Sequence, residues 1–186
     1  MRVTRDKAAE NRARIVATAS RLFREKGFDG VGLDAIMKEA GLTHGGFYGH
    51  FSSKEDLAAE AVAHALEQAA ALQSRYTNVA DLVSGYLSER HLADRANGCA
   101  LAALSGGMAR RSEEVRCAAT SYVRAQLERL AGLFRGAAAA RRRRAITTLA
   151  GIVGALALAR AVDDPVLSDE ILSTARQVFG SARPAA

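Results

Sequence analysis

Basic side chains are concentrated at the start of the chain, where they could attract a polyanion. Between residues 1 and 24 only Asp6 and Glu10 are acidic. The basic residues of the same stretch are Arg2, Arg5, Lys7, Arg12, Arg14, Arg21 and Arg24. The whole chain of 186 residues carries a formal charge of +6. This balance favours nucleic acid or an anionic membrane surface as a partner.

Nucleophilic and metal-binding side chains are few. Two cysteines in a chain of this size predict a reduced, cytoplasmic protein without a disulfide framework. Cys99 follows Asn97 and Gly98 at the predicted start of a helix, which suggests a thiol that senses electrophiles or oxidants. A metal site made by Cys99, Cys117 and His91 is a weaker alternative, because their spacing is not compact. No nucleophile–base pair or phosphate loop is recognisable, so we expect neither an enzyme nor a cofactor.

The composition predicts an all-α protein. Alanine and leucine dominate, aromatic residues make up 5%, and proline occurs only at positions 165 and 184. The charged N-terminus lacks the apolar core of a signal peptide. The longest uncharged run, 145–159, is shorter than the roughly 20 residues that span a bilayer. We therefore expect it to form a buried helix and expect no membrane partner.

Apolar periodicity predicts four helices in the N-terminal part, at about 6–26, 33–40 and 43–51, with the fourth starting at the serine pair 52–53. Glycines at 27 and 41 are the expected stops, and Thr43 is the expected N-cap of the third helix. The fourth continues through Leu57, Val62, Leu66 and Leu72. Two short helices around a glycine-containing turn in a basic domain match a helix-turn-helix, although a generic helical bundle has the same periodicity.

Three linked segments resemble the TetR family of transcriptional regulators. Residues 41–57, GLTHGGFYGHFSSKEDL, are similar to its recognition-helix signature, and residues 31–40, VGLDAIMKEA, to its second helix. Residues 14–28 are similar to its first helix. The resemblance covers about residues 10–60 and implies an N-terminal three-helix DNA-binding domain, 1–52. A helical effector-binding and dimerisation domain, 53–186, would follow, with about nine helices in total.

The resemblance also implies a set of DNA contacts, namely Thr43, His44, Gly45, Gly46, Tyr48, His50 and Lys54. The hydroxyl, imidazole and ammonium groups of this set suit phosphate oxygens, which fix register without reading sequence. Base readout would fall to His44 and Thr43, with the glycines letting the backbone approach base edges. Four neighbours are expected in the core instead: Ile36, Leu42, Phe47 and Phe51.

The sequence departs from the family pattern at three positions. His44 stands where lysine is common, Gly49 replaces an aromatic or polar residue, and Gly32 replaces a Thr or Ser cap. Glycine costs a helix about 1 kcal/mol relative to alanine. We therefore expect a recognition helix that is marginal alone and orders further on DNA.

Five more helices are predicted in the C-terminal part, at about 79–94, 98–110, 113–134, 141–161 and 165–179. The resemblance implies a homodimer whose four-helix interface is formed by 141–161 and 165–180. Gly151, Gly154 and Ala155 would allow close helix approach, although a helix buried within its own chain is the alternative. Candidate effector contacts are Tyr86, His91, Cys99, Met108 and Tyr122, which ordinary packing also explains.

Four consecutive arginines, 141–144, precede the most apolar stretch. Cations at a helix N-terminus oppose the macrodipole, so we expect these arginines to lie outside the helix as a solvated run. The alternative is that they pair with acidic groups such as Asp163 or Asp164 of a second subunit.

Together these features predict a ligand-released repressor that binds a near-palindromic operator as a homodimer, with an unidentified small molecule as effector. Recognition sites about 34–36 Å apart are expected on the duplex. An activator, or a helical interaction module without DNA binding, are the alternatives.

Overall fold

The computed structural model describes residues 5–73 and 75–181, without the side chains of Leu66, Leu72 and Gln73. Within the described part the secondary structure is wholly helical, which confirms the predicted all-α class. The α-helices are α1 Arg5–Lys26, α2 Leu33–Glu39, α3 Lys54–Gln73, α4 Val79–Tyr86, α5 Glu89–Ala93, α6 Ala100–Met108, α7 Glu113–Gly132, α8 Ala138–Ala161 and α9 Pro165–Gly180. A 3-10 helix, His44–Gly49, lies between α2 and α3.

The first two helices end where glycine was predicted to stop them. Gly27 has φ 78° and Gly41 has φ 69°, in the left-handed region where a side chain is strained. The Gly27 N–H donates to the Phe23 carbonyl at 2.8 Å, closing the last turn of α1. The chain therefore turns twice within fifteen residues and brings α2 and the 3-10 helix together.

The third helix differs from the prediction. It is a 3-10 helix, and the Thr43 side chain makes no capping hydrogen bond, although Thr43 occupies the N-cap position. The Thr43 carbonyl instead accepts from the Gly46 N–H at 3.0 Å. Three of its six residues are glycines, which lower the preference for a regular α-helix. This agrees with the expectation of a marginal recognition helix.

Helix α3 starts at the serine pair that the sequence indicated. Ser53 Oγ accepts from the Asp56 N–H at 3.0 Å, while the Ser52 N–H donates to Asp56 Oδ2 at 3.0 Å. The helix then packs on both α1 and α7. One core cluster contains Phe51, Leu57 and Tyr122 and so runs from the N-terminal helices into the C-terminal part. The boundary at 52/53 stays a prediction.

The predicted helix 79–94 is in fact two helices. α4 ends at Tyr86, and α5 begins after Ser88. The Ser88 hydroxyl donates to the Gly85 carbonyl at 2.8 Å and accepts from the His91 N–H at 3.3 Å. A serine that bonds backbone groups on both sides competes with the helical ladder, which explains the break.

The arginines 141–144 lie inside α8, so the expectation of a solvated run outside the helix is wrong. α8 begins at Ala138, and alanine and arginine are both strong helix formers. The unfavourable interaction with the macrodipole is at most about 1 kcal/mol at an exposed site and does not prevent this. Arg142 and Arg143 are exposed, whereas Arg141 and Arg144 are half-buried.

Helices α8 and α9 form an antiparallel pair with an apolar surface. A Cβ on Gly151 would lie 2.0 Å from Phe179 Cζ, so this glycine permits a close approach within the chain. Gly154 has nothing within 4 Å of its Cβ position. Leu158 is 59% exposed, so the alternative of a helix buried by its own chain is wrong. Asp164 caps α9 by accepting from the Val166 N–H at 2.9 Å.

By length and composition α8 could also cross a membrane, which the shorter uncharged run 145–159 had not suggested. Core helices of globular proteins meet the same criterion. In this structure a third of its most apolar window is buried, by packing that includes α7 and α9.

Candidate functional site

The segment 43–50 forms an exposed surface anchored by one buried ring. Phe47 is fully buried and stacks on Phe51 with 5.6 Å between ring centroids. Six of the eight residues are exposed, and Tyr48 is 66% exposed. Burial of Ile36, Phe47 and Phe51 confirms the predicted core, and Leu42 is partly buried against it. The six exposed residues therefore face away from the protein.

His44 is held against a carboxylate on the neighbouring helix. Its Nδ1 contacts Asp34 Oδ1, and its ring lies edge-on to Tyr48 with 6.3 Å between centroids. Asp34 stands in the first turn of α2 with its side chain 86% exposed. Sequence analysis did not single out Asp34, because only the folded turn between α2 and the 3-10 helix brings it to His44.

The predicted DNA contacts differ in how exposed they are. Thr43, His44, Gly45, Gly46 and Tyr48 share the exposed surface. His50 and Lys54 are half-buried, and Lys54 Nζ lies 5.9 Å from the centroid of the Phe23 ring on α1. These two residues border the surface rather than project from it.

Two arginines of the N-terminal part form ion pairs with carboxylates of the same chain. Arg12 forms a two-pronged pair with Glu60 and lies 4.4 Å from the Phe51 ring centroid. The hydrogen bond to Glu60 raises the pKa of Arg12. Arg21 pairs with Glu39. Both arginines therefore have carboxylate partners within the chain.

Arg24 is a buried link between the N-terminal and C-terminal parts. It is 5% exposed, and burial lowers its pKa. Its guanidinium donates to the Gly98 carbonyl at 3.3 Å and to Gln68 Oε1 at 3.1 Å. α1, α3 and the loop before α6 therefore meet at one side chain.

Four of the five predicted effector residues form a cluster around His91. Its Nδ1 donates to the Tyr86 carbonyl at 2.6 Å, and its Nε2 accepts from the Cys99 N–H at 2.9 Å. Cys99 Sγ lies 3.6 Å from Tyr122 Oη. Burial lowers the pKa of His91 and raises that of Tyr122. Met108 lies at the other end of α6, about 13 Å from Cys99 along the helix axis at 1.5 Å per residue.

This geometry does not favour a metal site. Both ring nitrogens of His91 are used by backbone groups, and Cys117 is exposed on α7. In residues 5–73 and 75–181, no three His, Cys, Asp or Glu side chains come together as ligands.

A small cavity lies between α4, α7 and α8. Its volume is about 20 Å³, enough for one water molecule. Tyr86 and Gln126 line it, and neither Tyr86 Oη nor Gln126 Nε2 makes a hydrogen bond of normal geometry within the described part of the chain. The other lining residues are Leu82, Leu130, Leu149 and Ile152. Gln126 was not predicted from the sequence, although its position four residues after Tyr122, on an apolar helix face, indicates that it is buried.

Comparison with known proteins gives matches to the N-terminal part of the chain. The sequence model described as "Bacterial regulatory proteins, tetR family" matches residues 15–61. The regulator LmrA of Bacillus subtilis is 46% identical over 54 residues, 28% of this chain and 29% of LmrA. AcrR of Shigella flexneri is 42% identical over 59 residues, 32% of this chain and 27% of AcrR. The matched stretch spans less than a third of either relative.

Solved structures show that the whole fold is shared. A TetR-family regulator from Agrobacterium tumefaciens matches with a TM-score of 0.73 and 20% identity, covering 92% of this chain and 98% of that one. Reduced NemR of E. coli matches with a TM-score of 0.71 and 23% identity, covering 95% and 100%. At these identities the likeness concerns the fold.

Proposed function

We propose that this chain, whose residues 15–61 match the TetR family of bacterial regulatory proteins, binds a DNA operator as a homodimer and represses transcription until an effector binds. The observation that carries this proposal is the exposed segment 43–50, which lies inside the matching stretch and is anchored by the buried Phe47. Segment 43–50 is thus both part of the stretch that matches the family and exposed at the surface of the fold.

The glycines of the segment support a close approach of DNA. Gly45 and Gly49 have nothing within 4 Å of a built Cβ, and neither has a positive φ. The fold itself therefore does not require glycine at these positions. A bare backbone at an exposed turn suits contact with base edges, while Thr43 and the Tyr48 hydroxyl suit phosphates. His50 and Lys54, at the border, would bind phosphates after side-chain rotation.

Exposed apolar side chains support dimerisation through α8 and α9. Among the described residues six large hydrophobic side chains are exposed, and Tyr48 is one of them. The other five are Ile146, Leu158, Val166, Leu167 and Val178, all on these two helices. Exposed apolar side chains concentrated on two packed helices suggest an interaction site. A two-fold dimer would present two recognition segments to half-sites about 34–36 Å apart.

The cavity beside Tyr86 and Gln126 is the proposed entry point of a small effector. Gln126 Nε2 offers a hydrogen-bond donor in an otherwise mainly apolar lining, so a mostly apolar molecule with one acceptor would suit it. The cavity must widen to admit such a molecule. His91, Cys99 and Tyr122 would adjust with it, whereas Met108 lies outside this pocket. Release of DNA requires that the effector prefer the state with low operator affinity.

A titration of fluorescent DNA tests the DNA-binding proposal. The duplex carries the region upstream of the protein's own gene, scrambled DNA is the reference, and two salt concentrations are compared. We expect tight, salt-sensitive binding that prefers the specific duplex and is lost in Tyr48→Ala. Arg124→Ala, an exposed change on α7, is the matched control and should leave the preference intact. Equal binding to scrambled DNA would contradict sequence-specific binding.

A further inference from the structure

We infer that Asp34 is a positioning residue that makes His44 present a hydrogen-bond acceptor to the major groove, so that His44 reads a cytosine or an adenine. This inference rests on the proposed function, because it assigns the base preference of the same DNA-binding surface.

The contact between the two side chains decides which ring nitrogen carries the proton. His44 Nδ1 faces Asp34 Oδ1, and an ionised carboxylate only accepts hydrogen bonds. The Nδ1 position therefore carries the proton. In the neutral ring Nε2 then holds a lone pair, and because the His44 side chain is 51% exposed, this edge is open to a ligand.

The surroundings of the ring keep this orientation. Tyr48 lies edge-on to it, with an interplanar angle of 72°, and Asp34 is anchored in the first turn of α2. The charged or titratable groups on the elements that flank the ring are Asp34, Lys38 and Glu39 of α2, Tyr48 of the 3-10 helix and His50 at its end. The carboxylate of Asp34 and the ring of Tyr48 are the two of these that contact the imidazole.

The donors and acceptors that the bases present in the major groove determine which bases this orientation of His44 favours. Cytosine N4 and adenine N6 are donors, whereas guanine offers only the acceptors O6 and N7. The acceptor at Nε2 can take a hydrogen bond from cytosine N4 or adenine N6, whereas the two acceptors of guanine repel it. The lysine that is common at this position in the resembled family offers donors alone. The Asp34–His44 pair therefore reverses the hydrogen-bond polarity of the position.

A selection from random duplexes at pH 8 tests this inference. The wild-type protein should enrich cytosine or adenine at one half-site position, and His44→Lys should change that position to guanine. Asp34→Ala frees the ring to take either tautomer, so the preference there should fall about fivefold. Glu128→Ala removes a carboxylate at an exposed site on α7 and should leave the preference unchanged.

The outcomes separate this inference from the proposed function. If the variants at 34 and 44 weaken binding equally on all sequences, His44 contacts phosphate and the inference is overturned while DNA binding stands. Enrichment of guanine by the wild type at pH 8 also overturns it. If no sequence is enriched by any protein, both the inference and sequence-specific binding are overturned.

Discussion

The guanidinium of Arg111 lies over the ring of Phe28, with 4.9 Å between Arg111 Cζ and the ring centroid. Arg111 follows α6 in the C-terminal part, whereas Phe28 lies in the turn after α1. The same guanidinium pairs with Asp29 and, at 3.1 Å, with Glu55 at the start of α3. The loop between α6 and α7 is thus joined both to the turn after α1 and to the start of α3, the segments on either side of α2 and the 3-10 helix.

Removal of this cation should destabilise the protein in a pH-dependent way. Arg111 lowers the pKa of Asp29 below its usual value of 3.8. A depressed carboxyl pKa stabilises the fold above the unfolded pKa, and that contribution disappears as pH falls through the folded pKa. Arg111→Met should therefore lower the unfolding temperature by about 2–4 °C at pH 7 and by much less at pH 3.

Differential scanning fluorimetry at the two pH values measures this effect. Arg116→Met, an exposed change on α7, is the matched control. An equal loss of unfolding temperature at pH 7 and pH 3 would show that the ion pairs contribute nothing and that only the stacking on Phe28 matters.

Arg24→Met should cost the protein about 1–3 kcal/mol of unfolding free energy. Methionine keeps the apolar stem, but the Gly98 carbonyl and Gln68 Oε1 lose their donor. Urea denaturation measures the change, with Arg14→Met on the exposed face of the same helix as control. A stability equal to wild type would mean that water replaces the guanidinium at no cost.

Leu158→Glu should convert a dimer into a monomer. A charge at a side chain that is 59% exposed in the free chain costs little in a monomer but is expensive in an apolar interface. Sedimentation at micromolar concentration should give the mass of one chain, 19.7 kDa, for this variant and twice that mass for the wild type. Ser121→Glu on α7 should stay dimeric. A monomeric wild type would refute the proposed interface.

Two glutamine substitutions should change stability in opposite directions. Gln126→Leu removes a buried amide nitrogen without a normal partner and should raise the unfolding free energy by about 1 kcal/mol. Gln68→Leu removes the partner of Arg24 and should lower it. Chemical denaturation of both variants decides this. A destabilised Gln126→Leu would indicate that an ordered water satisfies the amide in the cavity.

The parts of the fold that local sequence determines were predictable. Gly27, Gly41 and Ser53 each act within a few residues, through a positive φ or a capping hydrogen bond, so the limits of α1, α2 and α3 follow from the chain alone. The exposed surface followed from resemblance. The break at Ser88 and the early start of α8 did not, because competing local preferences there are nearly balanced.

The contacts that join distant segments were not predictable. Arg24 and Gly98 are 74 residues apart, and Arg111 and Glu55 are 56 apart. From the sequence, an arginine in an amphipathic helix is expected on the solvated face. Its acceptor comes from a distant segment and is therefore known only from the fold. The same holds for Asp34 and His44, since their pairing depends on how α2 and the 3-10 helix pack.

A hydroxyl-radical footprint on the DNA upstream of the protein's own gene tests the central claim most directly. Two recognition segments in one dimer should protect two half-sites on one face of the duplex, with centres 10–10.5 base pairs apart or a multiple of that. Tyr48→Ala should remove both protections together. Protection that follows no repeat, or that Tyr48→Ala leaves unchanged, would contradict the claim that segment 43–50 of a dimer reads an operator.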